Sequence, residues 1–259
     1  MTLGEFESAK GRRSSNTSRA YAQAVRAWSK VLGYGTPEVA VQEILSGRLD
    51  AIDSLSKYVD SLDGRHLAPK SMLLYVSAVK SFLKFHKIRV DSEDLKARVV
   101  LPADFEVSTD KAFTDEEIRT LLLRGNLKAK TIVLIGVTTG ARIGEISSLK
   151  VGYLDLNANP PTITYPAPKN KTKKARKVYT TVECANVLKE FLGDRINDPN
   201  AWLFPHPIKV GEPEKSDAHI SQLRRLLVKC KLRFKLDNDS KRYALHPHCL
   251  RKTFYSKMI

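Results

Sequence analysis

The sequence predicts a mainly α-helical protein with one small β-hairpin or sheet, arranged as an N-terminal helical bundle followed by an α+β domain. Three observations predict it. Apolar residues recur at three-to-four spacing in four short, tightly joined segments between residues 17 and 90. The period drops to two in one place only, around 162–165 and 177–180. Between these regions, residues 91–111 mix charges with Pro102 and few periodic apolar positions, the composition of an interdomain linker.

Residues 1–16 are polar and rich in Ser, Arg and Gly, so they read as a flexible arm. Thr17 or Ser18 can cap a first helix that carries Tyr21, Val25, Trp28 and Leu32 inward and stops at Gly33. A second helix follows Thr36-Pro37, a third runs from Asp50 to Gly64, and a longer fourth starts at Pro69 with Met72, Val76, Val79 and Leu83 on one face. After the linker, Thr114-Asp-Glu-Glu is a capping box, and Leu127–Val137 is an almost wholly apolar helix that must be buried. The two strands are joined by Pro166–Arg176, and within residues 169–177 six of nine side chains are basic. A helix then runs from Thr180 to Gly193. Trp202-Leu203-Phe204 forms an apolar knot, Ser216 opens a helix with Ile220, Leu223, Leu227 and Cys230 inward, and a last helix runs from His248 to Ile259.

The chain has 259 residues, 42% of them hydrophobic, enough to fill proper cores. Its 44 Lys and Arg against 28 Asp and Glu are unevenly spread. Residues 1–110 hold 16 basic and 14 acidic side chains, residues 111–259 hold 28 and 14, so the second region carries almost all of the +16. A basic face of that size suits the phosphates of double-stranded DNA, whose neutralisation releases counterions. No apolar run spans a bilayer, and the charged start has no signal-sequence core, which points to a cytoplasmic, nucleoid-associated protein without membrane partners. Cys184, Cys230 and Cys249 are odd in number and widely spaced, arguing against a disulfide framework. His246, His248 and Cys249 lie close together without metal-ligand spacing, so no metal is expected and no cofactor is implied.

The chemistry gathers around Thr138–Leu149, TTGARIGEISSL. A helix beginning near Ala141 would put Arg142 in its first turn, where backbone N–H groups favour an anion, with Glu145 three residues on. Downstream come the basic turn KNKTKKARKVYTT and PHCLRKTF, with His248 and Arg251 at H-x-x-R spacing. An arginine after a glycine turn, a lysine in a hairpin turn and His-x-x-Arg, in that order, resemble the tyrosine recombinase (phage integrase) family. The likeness covers the second half of the chain well and the first half in general layout.

That resemblance implies a core-binding bundle of the SAM-like type at 17–90, a catalytic domain at 112–259, and a linker letting the two close around a duplex. It implies strand cleavage and rejoining through a 3′-phosphotyrosine, with no nucleotide cofactor and with self-association as a tetramer on paired DNA sites. Arg142 and Arg251 would clasp the phosphate, since each guanidinium is permanently charged and bidentate. Lining up the basic turn with the family pattern puts the catalytic lysine at Lys171, with Lys169 as runner-up. His248 would handle the nucleophile's proton, and Glu145 would orient Arg142 without touching substrate. Lys169, Lys173, Lys174, Arg176 and Lys252 become DNA contacts, as do Lys80 and Lys84 on the fourth helix of the bundle.

The sequence also departs from the pattern. The family's nucleophilic tyrosine lies a few tens of residues beyond H-x-x-R, whereas this chain stops eight residues after Arg251. The catalytic domain is therefore read as C-terminally incomplete, the nucleophile is unassigned, and the chain is expected to be inactive alone. Tyr255 stands where the family usually has a small residue, and Lys252 where it often has histidine. The alternative is a catalytically inactive DNA-binding protein that occupies or regulates recombination sites.

Overall fold

A computed structural model describes residues 2–12, 15–65, 67–101, 110–167, 174–235 and 243–257. The chain divides into two compact units, Met1–Val107 and Ser108–Ile259.

The first unit holds six helices: α1 (Leu3–Gly11), α2 (Ser15–Val31), α3 (Pro37–Leu45), α4 (Ala51–Asp63), α5 (Pro69–Phe85) and α6 (Ser92–Arg98). Four are the helices that the periodicity predicts, and the two others correct it. The arm expected at 1–16 contains α1, begun by a reciprocal box in which the Glu5 backbone N–H donates to Thr2 Oγ1 (3.2 Å) and the Thr2 N–H to Glu5 Oε2 (2.6 Å). Only Leu3 and Phe6 of this helix are buried, so there is too little apolar repetition for periodicity to register. Phe6 nonetheless reaches the core, edge-on to Phe82 and Phe85 at 5.3 and 5.5 Å. Ser18, expected as a cap, lies inside α2 and donates to the Glu7 carbonyl (2.6 Å), tying the first two helices together.

The expected linker at 91–111 is corrected in the same way. Asp91 caps α6, its Oδ1 accepting from the N–H groups of Glu93 and Asp94 at 2.7 and 3.0 Å. Leu95 and Val99 are buried in the bundle core, so this stretch as far as Leu101 packs as part of the first unit.

The second unit contains α7 (Asp115–Arg124), α8 (Leu127–Thr139), α9 (Ile143–Ser147), α10 (Val182–Leu192), α11 (Ser216–Lys229) and α12 (Cys249–Lys257). The capping box at Thr114 forms as read, with Glu117 N–H on Thr114 Oγ1 at 3.2 Å and Thr114 N–H on Glu117 Oε2 at 2.9 Å. Helix α8 is the axle: Ile132, Val133 and Ile135 are completely buried, and α7, α9, α10, α11 and α12 all pack on it. Each such side chain contributes about 1.5–3 kcal/mol on removal from water. A helix apolar on all sides has this single stable location.

A three-stranded antiparallel sheet, β1 (Leu154–Asp155), β2 (Thr162–Tyr165) and β3 (Arg176–Tyr179), lies in the order β1-β2-β3. The register pairs Tyr165 with Arg176 and Ile163 with Val178. The two-residue β1 is too short for alternation to reveal it, and β3 starts at Arg176, one residue before the expected strand. Among the described residues no helix is long and apolar enough to cross a membrane.

Candidate functional site

The site begins where α8 ends. Gly140 takes a left-handed conformation (φ 61°) and closes the helix by donating to the Gly136 carbonyl at 3.1 Å. A Cβ on Gly140 would stand 2.4 Å from Phe254 of α12, so the turn needs glycine both for its backbone angle and for the approach of that helix. The reversal places Arg142 immediately before α9 as its N-cap, which corrects the expectation of a first-turn position. With only five residues, α9 contributes little dipole. The Arg142 N–H is moreover taken by Glu145 Oε2 at 2.8 Å. Affinity for an anion here rests on the guanidinium rather than on the helix terminus.

From behind, α9 is braced by a buried polar chain. Ser147 Oγ lies 2.7 Å from His219 Nδ1, His219 Nε2 lies 2.6 Å from Glu214, and Lys128 closes the chain on Glu214. Burial lowers the His219 pKa despite the Glu214 carboxylate, so the ring is a neutral strut between α9 and α11.

Glu145, 4% exposed, is the pivot of the first arm. Arg142 Nη1 donates to its Oε1 at 3.3 Å, while Arg176 grips both oxygens, Nη1 to Oε1 at 3.1 Å and Nη2 to Oε2 at 2.8 Å. Burial pushes the Glu145 carboxyl up, but the Arg176 hydrogen bonds, the Arg142 N–H and both guanidinium charges outweigh it and hold the carboxyl below its usual range. Arg176 also lies over the Tyr165 ring, 4.5 Å from its centroid, and Tyr165 Oη sits 3.0 Å from Thr139 Oγ1. Glu145 therefore accepts from both arginines, with Arg176 as its stronger partner. The expectation that Arg176 reaches out to DNA is corrected, because its donors turn inward onto the carboxylate. Strand alternation carries that information: Val178 points inward, and so must the residue two before it.

The second arm comes from α12. His248 lies in the turn before this helix, which starts at Cys249 rather than at His248. Arg251 Nη1 donates to the Gly140 carbonyl at 2.5 Å, two residues from Arg142, and Nη2 donates to Tyr255 Oη at 2.7 Å. The Arg251 guanidinium carbon is 4.9 Å from the Tyr255 ring centroid. Burial, then the neighbouring His246 and the guanidinium charges of Arg251 and Arg142, lower the pKa of His248, with Asp110 pulling the other way. Arg142, Glu145, His248 and Arg251 are thus brought to one place on the second unit. Tyr255, standing where the family usually has a small residue, joins them through its bond to Arg251.

The remaining expected contacts are dispersed. Lys169, Lys171 and Lys173 lie outside the described residues, and Lys174 is exposed at the edge of the basic turn. Lys252 is exposed and donates one of its N–H groups to the Asp110 carbonyl. On the first unit Lys80 donates to Ser92 Oγ at 3.4 Å and lines one groove with Lys84 and Arg89. Asp110, His246 and Cys249 place ligand-type atoms within 4.8 Å of one another, a grouping that sequence spacing does not anticipate because Asp110 is remote in the chain. Hydrogen bonds account for it: His246 Nε2 pairs with Asp110 at 3.3 Å, and the buried Cys249 thiol, its pKa raised by burial, meets the Ala244 carbonyl and the His246 N–H.

Comparison with known proteins agrees with this geometry. The structure aligns with the Tn1549 transposon integrase in complex with transposon right end DNA at 16% identity, over 100% of this chain and 86% of that one, with a TM-score of 0.64. It aligns with the XerH site-specific recombinase bound to palindromic difH substrate, in a post-cleavage complex, at 20% identity over 93% of this chain and 68% of that one, with a TM-score of 0.62. At such identities the likeness establishes the fold. Comparison with curated protein sequences finds no match. A sequence model of the phage integrase family matches residues 111–259, the whole second unit from Lys111 onward and more than half of the chain. The chain belongs to the phage integrase family of tyrosine recombinases.

Proposed function

We propose that the protein is a site-specific DNA recombinase that cleaves and rejoins strands through a 3′-phosphotyrosine, using the side chains gathered around the Gly140 turn. In this reaction a tyrosine oxygen bonds to phosphorus, the bond from phosphorus to the 5′ oxygen breaks, and the leaving oxygen takes a proton. Rejoining reverses these steps with a different 5′ hydroxyl, so the bond energy is conserved in the intermediate and no nucleotide is consumed. Two strands can be exchanged only if two DNA sites are held together, which is why the protein is proposed to self-associate on DNA.

The observation that carries this reading is the meeting of Arg251 with the Gly140 carbonyl, two residues from Arg142, with His248 feeling both charges. Charge accumulates on the nonbridging oxygens as the nucleophile attacks, and preorganised guanidiniums stabilise it without reorganising. His248, held neutral near pH 7, can accept the nucleophile's proton. Lys171 is assigned the leaving oxygen's proton by its place in the basic turn. Lys169, Lys173, Lys174 and Lys252, with Lys80 and Lys84 of the first unit, are assigned to the DNA backbone.

The test starts by selecting duplexes from a random library with the full chain and sequencing them. Nicked versions of the enriched sequence then trap any covalent intermediate. Against the expectation that the chain is inactive alone, the recombinase reading predicts a protein–DNA adduct that disappears in Arg251→Ala, with the modified tyrosine located by mass spectrometry. Enrichment of one sequence with no adduct would leave the site-occupying regulator in its place, and no enrichment at all would sink both.

A further inference from the structure

We propose that Tyr255 is a further phosphate-contacting residue of this site, its hydroxyl donating to a nonbridging oxygen held by Arg251. The inference rests on the recombinase reading, and it concerns a residue outside the expected arginine, lysine and histidine set.

The hydrogen-bond direction makes the case. A guanidinium can only donate, so in the 2.7 Å contact between Arg251 Nη2 and Tyr255 Oη the phenol oxygen must be the acceptor. The phenol's own proton is then directed elsewhere. Among the described residues this hydroxyl donates to no acceptor, and Tyr255 is 49% exposed, so the proton is open to solvent. An anion seated against Arg251 would be met there by an O–H donor, and O–H···O⁻ bonds are short and strong.

The side chain is also held ready. Its ring lies 4.9 Å from the Arg251 guanidinium carbon and edge-on to Phe254 at 5.4 Å, which fixes the direction of the hydroxyl. Phe254 in turn fills the space that the Gly140 turn leaves open. Arg251 cannot swing away freely, because its Nη1 is bound to the Gly140 carbonyl. Guanidinium and phenol thus form one rigid donor array. The environment is cationic: the Arg176 guanidinium lies near enough to interact electrostatically with Tyr255, and Arg142 is on the far side of the same turn. An anion is what such a surface recruits.

The experiment titrates the full-length chain with inorganic phosphate and follows the arginine side-chain ¹⁵Nε–¹H resonances. Tyr255→Phe keeps the ring and removes only the hydroxyl, so folding is preserved, and a melting curve checks it. Phosphate binding should weaken about tenfold in Tyr255→Phe, as for loss of one hydrogen bond to a charged group. Unchanged affinity would overturn the proposal. Tighter binding would also overturn it, because it would mean that the hydroxyl covers Arg251 rather than extending its reach. A covalent DNA adduct mapped to Tyr255 would replace the contact role with a nucleophilic one and would equally reject the proposal. Arg251→Ala separates the levels. Wild-type binding that Arg251→Ala abolishes and Tyr255→Phe leaves intact defeats this inference alone, whereas absence of saturable binding to the wild type, or binding that survives Arg251→Ala, defeats the recombinase reading with it.

Discussion

Arg142 and Arg251 stand on either side of one glycine turn, yet they are held in opposite ways. Arg142 shares a buried carboxylate with a second guanidinium, so Arg142, Glu145 and Arg176 form a unit with one excess positive charge. Arg251 is held by a carbonyl and a phenol, neither of which offsets its charge. The first arm gains rigidity from a counterion, and the second keeps its full charge for the substrate. Comparing them separates holding a cation in place from leaving it available.

The largest expected effect treats the two alike. Replacing either arginine with alanine should slow adduct formation on a trapped nicked duplex by about a hundredfold to a thousandfold, as removal of one preorganised oxyanion donor does. Equal losses would show that both guanidiniums face the same phosphorus. A loss confined to Arg251 would break the comparison by making the Glu145 unit purely structural.

Removing the pivot should divide them. Glu145→Ala leaves two half-buried guanidiniums facing each other without their carboxylate, and breaking such a pair costs about 3 kcal/mol. The cost is read as a lower urea midpoint at unchanged slope. The depressed carboxyl pKa sets the sign with pH: Glu145 contributes stability above the usual carboxyl value of 4.5, and that contribution is lost only as pH falls through the lowered folded value. Arg251→Ala, which removes no ion pair, should leave the urea midpoint nearly unmoved.

Gly140→Ala sharpens the contrast from the other side. A methyl group 2.4 Å from Phe254 and a left-handed φ together should cost about 2 kcal/mol in melting experiments. Because α12 must shift, the Arg251 bond to the turn should be lost while the Glu145 clasp, anchored through β3 and α9, persists. Arginine side-chain spectra would show Arg251 perturbed and Arg176 unmoved.

How much of this was legible in the sequence follows from what each feature depends on. Helix α8 is visible because thirteen residues with almost no polar face can only be buried. Arg142, His248 and Arg251 are visible because local motifs fix their place on the chain. The inward turn of Arg176 is harder to see: five lysines around it make the segment look uniformly solvated, and only the alternation with Val178 distinguishes this residue from them. Helix α1 escapes because two apolar side chains produce no period, although Thr2 and Glu5 spell its cap. Tyr255 has the right i,i+4 spacing to meet Arg251, but which acceptor a guanidinium chooses depends on packing around Gly140 that no short pattern encodes.

The smallest effect concerns His248, which both arms influence. Its pKa is lowered by burial, by the neighbouring His246 and by the positive charges of Arg251 and Arg142, against a weaker pull from Asp110. Below the ordinary value of 6.5 the unfolded chain therefore takes up a proton more readily than the folded one, and stability falls on acidification. Bound phosphate reverses the preference, since it favours the imidazolium. Phosphate affinity should accordingly rise a few-fold as pH is lowered through this window, while the melting temperature of the free protein drops. His248→Gln should flatten both responses, and because the two have opposite sign, a general gain or loss of folding cannot imitate them. If the affinity rise survives in His248→Gln, the titrating group lies elsewhere, and His248 does not share the phosphate with the two arginines.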